Sequence, residues 1–348
     1  MKYAPLGRTG LLVSRLSFGA MTLGAGTELA AGVRNNIDQA EADRIVGQAI
    51  DAGINLFDSA DTYGMGESEI LLGKALGNRR RDVVVATKAG FQMSRNRLDN
   101  GLSCRHIVKS AEDALHRLGT DWIDIFLLQR HDPRTPYEET ARALELLVTQ
   151  GKVRYVGACN HQAWQMERFL NVEERLGFRP MTVAQLYYSL LGRDIEQDYM
   201  EFLADTGMGA MIWSPLAGGF LTGKYRRDRP VPDDARRKQF QMPPVDVELG
   251  YEVVDHLNAI AAAHGASIAQ VALAWMLAKP WVSTILVGAS KASQLEDNLG
   301  AIDLILSAEE IAALDAVTKQ KARYPNPQWL PDHLDDGTRR AAVGKGKA

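Results

Sequence analysis

The sequence predicts an α/β protein, a (β/α)8 TIM barrel with an N-terminal β-hairpin and a C-terminal extra helix and tail. Three observations carry this. Eight short runs rich in β-branched residues alternate with amphipathic stretches, the pattern of βαβ units and a parallel sheet. Their starts recur about every 26 to 40 residues until the seventh, with no break between two halves. The first run leads into Gly19-Ala20-Met21-Thr22-Leu23-Gly24, which is not the G-x-G-x-x-G turn that opens a doubly wound sheet.

In chain order, Lys2–Leu6 and Leu11–Arg15 flank Gly7-Arg8-Thr9-Gly10 and read as a hairpin that plugs the barrel bottom. The strands are expected at Leu16–Thr22, Asn55–Ser59, Val83–Lys88, Ile123–Gln129, Val153–Ala158, Val183–Tyr187, Gly209–Trp213 and Thr284–Gly288. A helical pattern follows each of the first seven, among them AEADRIVGQAIDAG, GESEILLGKALG, SCRHIVKSAEDALHRLG and TPYEETARALELLVTQG. In the third of these, Ile107, Ala111, Ala114, Leu115 and Leu118 recur at helical spacing, with Lys109, Glu112 and Asp113 between them. Gly53, Gly77, Gly119 and Gly151 are placed to close helices as left-handed caps.

After Trp213 comes a long excursion, Ser214 to Val247, with Pro215, Pro230, Pro232, Pro243, Pro244 and the charged run KYRRDRP. Loops of this length are usually lids or binding loops. VELGYEVVDHLNAIAAAHG adds a helix before SIAQVALAWMLAKP. The tail from Tyr324 is expected over the barrel mouth. Residues 1–330 then form one barrel domain and 331–348 a flexible tail.

The 348 residues are 46% hydrophobic and 24% charged, close to the globular average, and suffice for a large core without staples. Lys+Arg 40 against Asp+Glu 43 gives a net charge of -3. No basic surplus draws the chain to nucleic acid or anionic lipid. Two cysteines, Cys104 and Cys159, exclude a disulfide framework and fit a reducing compartment. No signal-peptide pattern opens the chain, and no apolar run reaches the ~18 residues of a membrane span. A cytoplasmic protein, with no membrane and no nucleic acid among its partners, is expected.

In such barrels the strand C-termini line the active face. Polar residues there are Asp58, with Tyr63 just beyond, Lys88, Gln129, Cys159, Asn160, Gln185, Trp213 and Ser214. Asp, Tyr and Lys on adjacent strand ends form a proton-handling set. A lysine ammonium lowers a phenol pKa from ~10, and an aspartate keeps that lysine charged and oriented. The competing reading makes Asp58–Lys88 a structural ion pair and Tyr63 a rim aromatic. Phe91, Tyr188, Tyr225 and Trp329 are candidate aromatic walls, whereas Trp122 reads as packed.

Other signals carry less. The stretch from Gly218 to Tyr225 nearly spells a P-loop, but Tyr225 replaces the Ser/Thr that would hold Mg²⁺. The seven histidines show no metal-ligand spacing, so no metal is expected, and His116 and His264 fit helix ends. Cys159 has no histidine at another strand end to activate it and reads as a packed side chain.

The segment GINLFDSADTYGMGESEILLGKAL resembles the aldo-keto reductase signature, with Asp58 and Tyr63 in place. VVVATKAG supplies the lysine, GKVRYVGACN resembles the strand-5 motif of that family, and MIWSPLAGGFLTGKY and ILVGASKASQLEDNL resemble its two cofactor segments. The resemblance runs unbroken from about residue 2 to 318. It implies a barrel that binds NADPH, with NADH also open, and reduces a small-molecule carbonyl or oxidises the alcohol by hydride transfer. Asp58, Tyr63 and Lys88 match the family's catalytic residues. Asn160 and Gln185 match those that hold the nicotinamide carboxamide, and Trp213 the aromatic that stacks on its ring. Gly19, Met21 and Asp58 fall beside the cofactor. Ser214, Leu216, Gly218 and Lys224 follow the pyrophosphate, and Gly288, Ser290, Lys291, Gln294 and Asn298 cradle the adenosine end.

One departure stands out. DIFLLQRHDP puts Gln129 where the family has a catalytic histidine that donates a hydrogen bond to the substrate carbonyl. A glutamine amide donates too, but it cannot become a cation. His131, two residues on, is the other candidate for that role. The alternative to an enzyme is a nicotinamide-nucleotide-binding sensor or regulatory subunit with weak turnover. A Schiff-base lyase using Lys88 is disfavoured, because Asp58 keeps the amine charged.

Overall fold

The computed structural model describes residues 1–30, 33–228, 230–231 and 235–323. The expected tail with Trp329, and Arg229 and Pro232 of the excursion, lie outside the described residues.

The first hairpin is present: β1 (Tyr3–Pro5) pairs antiparallel with β2 (Leu12–Ser14). Its turn lies hard against the barrel floor. Gly7 has φ 58°, and a Cβ there would stand 2.3 Å from the Gly209 nitrogen, so only glycine fits. Leu6 and Val13 are fully buried among Leu56, Val84, Ile125, Val183 and Met211 of the interior. Burial of such side chains contributes about 1.5–3 kcal/mol each, which drives the plug into place.

β3 (Leu16–Gly19) opens the barrel and stops short of the expected Thr22, because Ala20–Thr22 coil into a 3-10 turn. A second hairpin, β4 (Gly24–Ala30) with β5 (Val33–Ile37), then precedes the first helix and packs against residues 63–66. The sequence does not foretell it. GAGTELA and VRNNI are small, polar and without clean alternation.

The alternation then runs as expected through α1 (Gln39–Asp51), β6 (Leu56–Asp58), α2 (Glu67–Leu76), β7 (Val84–Ala89), α3 (Cys104–Leu118) and β8 (Ile123–Leu128). It continues in α4 (Tyr137–Thr149), β9 (Val153–Cys159), α5 (Ala163–Leu176), β10 (Val183–Tyr187), α6 (Tyr199–Thr206) and β11 (Gly209–Trp213). The excursion carries α7 (Arg236–Gln239), and α8 (Val247–His264) is the added helix before α9 (Ile268–Leu277). β12 (Thr284–Val287), α10 (Ala292–Leu299) and α11 (Ala308–Val317) complete the described elements.

Eight parallel strands close in the order β10-β11-β12-β3-β6-β7-β8-β9. These are the eight predicted strands. Asp38, Ser103, Asp246, Ser267 and Ser307 accept hydrogen bonds from backbone N–H groups at helix starts, satisfying donors that the helix itself cannot. Gly119 closes α3 in the left-handed region, but Gly77, with ψ -126°, turns the chain into a 3-10 segment instead. No single helix among the described residues is long and apolar enough to cross a membrane.

Candidate active site

The period of two along each strand decides which side chains reach the barrel mouth. In β7, Val84 and Ala86 join the interior cluster while Val85 and Ala89 join the outer layer, so Lys88 points inward. The same parity turns Asp58 inward after Leu56, Gln129 after Ile125 and Leu127, Gln185 after Val183, and Trp213 after Met211. Five strand ends thus supply one polar layer above an apolar interior.

Lys88 Nζ donates to Asp58 Oδ2 at 2.6 Å and to the Ser59 carbonyl at 2.6 Å. Gln185 Nε2 donates to the other Asp58 oxygen at 2.7 Å, and Cys159 Sγ donates to Gln185 Oε1 at 3.4 Å. Asp58, Lys88 and Gln185 are all buried. An ammonium has three protons. Two are engaged by Asp58 and Ser59, and the Tyr63 ring stands beside the same ammonium, its centroid 5.0 Å from Nζ.

Burial disfavours the charge on Lys88, but Asp58 and Tyr63 outweigh it and hold its pKa above the ordinary value, so the ammonium form persists. Tyr63 corrects an expectation. The residue is half-buried, yet burial of its phenol dominates and pushes it up to about 12, against the downward pull of Lys88. The phenol is therefore a protonated donor near neutrality, and Lys88 limits the rise instead of producing a net fall.

Gln129 lies at the layer's edge, 8% exposed. Thr62 Oγ1 donates to its Oε1 at 3.3 Å, and Asn160 Nδ2 donates to its backbone carbonyl at 3.3 Å. His131 does not take its place. That ring packs instead with Tyr137, His161 and Trp164, at centroid distances of 5.7, 5.9 and 6.3 Å. One strand-end neighbour was missed altogether: Asp61 is buried with both carboxyl oxygens unpartnered, and burial, then the nearby Glu69 charge, pushes it up to about 8.

A family model described as "Aldo/keto reductase family" matches residues 15–319. The chain belongs to the aldo/keto reductase family. It is 37% identical over 336 residues to a protein of Oryza sativa subsp. japonica named probable voltage-gated potassium channel subunit beta, covering 93% of this chain and 98% of that one. A protein of Arabidopsis thaliana bearing the same name is 35% identical over 338 residues, with 93% and 99% covered. The uncharacterized oxidoreductase YrpG of Bacillus subtilis (strain 168) is 34% identical over 338 residues, with 94% and 97% covered.

Aldo/keto reductases generally bind nicotinamide cofactors. The rim of this barrel has the donor set for one. Trp213 presents a half-buried indole, tilted on Tyr187 with centroids 5.1 Å apart and braced by Nε1–H donating to Asn160 Oδ1 at 3.0 Å. Asn160, at φ 57°, engages one N–H and one lone pair of its side chain internally, and its other N–H and lone pair have no protein partner among the described residues. Beyond it, Ser214 and Ala217 at positive φ and Gly218 and Gly219 bend the chain sharply. A Cβ on Gly218 would stand 2.8 Å from the Met242 carbonyl, so a side chain there would push the loop out of place.

Among the other expected residues, Gly19, Met21 and Leu216 are half-buried at the rim, and Lys224 is exposed. Gly288, Ser290 and Lys291 are exposed after β12, with Ser290 Oγ donating to Gln294 Oε1 at 3.0 Å, while Asn298 is buried. Hydroxyl, ammonium, amide and indole together fit a dinucleotide.

Two expected aromatic walls are not walls. Tyr188 is fully buried, stacked on Trp275 and edge-on to Trp281, and Tyr225 is buried with its ring stacked on Phe220. Both follow strand ends in sequence, but their rings pack beneath α9 and the excursion. Trp122 is packed as expected, under the Arg80 guanidinium at 4.6 Å. Phe91 does stand at the rim, with Arg130 over its ring at 4.3 Å. Cys159 is packed, and burial pushes its thiol up to about 12, which leaves it unreactive.

Proposed function

We propose that this chain is an NADP(H)-dependent oxidoreductase that reduces an aldehyde or ketone, and reversibly oxidises the alcohol. The observation that carries the reading is the buried Asp58–Lys88 pair set against the Tyr63 phenol at the barrel mouth. A structural ion pair alone would gain little from such a place. Burying two charges costs several kcal/mol per ion before their attraction is counted.

Trp213, Asn160 and Gln185 would hold the nicotinamide end. Ser214, Leu216, Gly218 and Lys224 would follow the pyrophosphate, and Gly288 to Asn298 the adenosine end. When bound, the reduced nucleotide supplies a hydride to the substrate's carbonyl carbon. Tyr63 then gives its proton to the oxygen that becomes alkoxide, and the alcohol forms. The phenolate left behind is stabilised by Lys88, whose charge Asp58 maintains and Gln185 helps to hold in register. Gln129 donates a neutral hydrogen bond to the same oxygen. In the reverse direction the Tyr63 phenolate takes the alcohol proton.

The reading is tested by mixing the full chain with NADPH or NADH and a panel of aldehydes and ketones, following loss of the dihydronicotinamide absorbance. Steady turnover with at least one carbonyl is expected, faster with NADPH. Tight nucleotide binding with negligible oxidation across the panel would favour a second reading. That reading is a nucleotide-binding regulatory subunit, supported by Gln129 and by the names of the rice and Arabidopsis relatives. A cytoplasmic setting fits both.

A further inference from the structure

We propose that Thr62 is a positioning residue for the reaction: its hydroxyl orients the Gln129 amide so that the N–H₂ end, not the carbonyl end, faces the substrate oxygen. The proposal rests on the carbonyl-reducing reading above and follows from a count of donors and acceptors.

Gln129 is fixed at its backbone, with N–H donating to the Ala89 carbonyl at 2.8 Å and its own carbonyl accepting from Asn160 at 3.3 Å. Its side-chain Oε1 accepts from Thr62 Oγ1 at 3.3 Å. Among the described residues no protein acceptor takes Nε2. The acceptor end of the amide is capped and the donor end is left for a ligand.

This matters because an amide has two faces of opposite polarity and a half-turn exchanges them. A substrate carbonyl needs donors, and Tyr63 supplies one. Turned the wrong way, Gln129 would set its own oxygen against the substrate oxygen. A protonated imidazole has no wrong end, since both nitrogens donate. Glutamine at this position therefore creates a need for an orienting group. Thr62 lies immediately before Tyr63 on the loop after β6, half-buried beside the mouth.

The test is a double-mutant cycle on the full chain, with NADPH and with benzaldehyde and methylglyoxal as carbonyl probes. Thr62→Val keeps the shape and removes the donor. It should lower kcat by about three- to tenfold, the scale of one neutral hydrogen bond. NADPH affinity, read by quenching of tryptophan fluorescence, should stay within error. Thr62→Ser should restore most of the rate. In a Gln129→Ala background, Thr62→Val should cost nothing further.

If Gln129→Ala is impaired but Thr62→Val is not, or if the two losses multiply, Thr62 does not act through Gln129 and the proposal is overturned. An unimpaired Gln129→Ala removes the role given to Gln129 and the proposal with it. A wild-type chain that reduces neither probe counts against the carbonyl-reducing reading and takes this inference down with it.

Discussion

Gln185 donates to Oδ1 of Asp58 at 2.7 Å, on the oxygen that Lys88 leaves free, so a glutamine expected to serve the cofactor also completes the buried ion pair. The carboxylate is held on both oxygens. The lysine it faces can hold its charge in the absence of water.

Asp58→Ala should therefore be costly. It strands a buried ammonium, and breaking such a pair costs about 3–5 kcal/mol. Since Asp58 raises the Lys88 pKa, the pair's contribution is present near neutral pH and is lost as pH rises through the folded lysine pKa; on the acid side it is lost as the Asp58 carboxyl, which burial raises, takes up a proton. Urea unfolding near neutral pH should show the full loss. Lys88→Met added to Asp58→Ala should recover part of it. A double variant no more stable than Asp58→Ala would contradict the account.

Gln129 does not titrate, so it adds no group to the pH dependence of wild-type turnover near neutrality. Gln129→His should introduce a limb: kcat/KM rising as pH falls through ~6.5, where the imidazole becomes a cation. A charged donor exceeds a neutral one by about 1 kcal/mol, so the low-pH gain should be ~5-fold. Profiles of the two proteins that superimpose would show that residue 129 does not touch the reacting oxygen.

Asp61 carries a stability prediction. Its folded pKa is raised to about 8 from 3.8, so the folded state favours the protonated acid. Stability is fully present below about pH 4 and is progressively lost as pH rises through about 8. Asp61→Asn imitates the protonated form and abolishes that loss. Its melting temperature should match the wild type below about pH 4 and exceed it by a margin that grows as pH rises to 8. A constant difference between the two curves would show that Asp61 is not the titrating group.

Most of the architecture was legible because burial writes itself into periodicity. Lys88 and Gln129 were legible from their place at strand C-termini, whereas the parity that turns them inward was not, since β7 and β8 are buried on both faces. The β4–β5 hairpin was not legible, since GAGTELA and VRNNI show no alternation of apolar and polar residues. The strand-end roster located the site, but chain position could not say that Tyr188 packs on Trp275 or that His131 joins Tyr137 and His161. Those contacts are made between elements distant in sequence. The Tyr63 acidity was misjudged for a related reason. Neighbouring charges can be guessed from strand order, whereas the depth of burial that outweighs them is a property of the folded mouth.

The proton role of Tyr63 is tested most directly by Tyr63→Phe, with carbonyl turnover and nucleotide affinity measured on the same preparation. The account predicts a fall in kcat of about 10²–10⁴-fold, the usual worth of a positioned acid, with NADPH affinity nearly intact. Turnover equal to the wild type at equal nucleotide occupancy would contradict it.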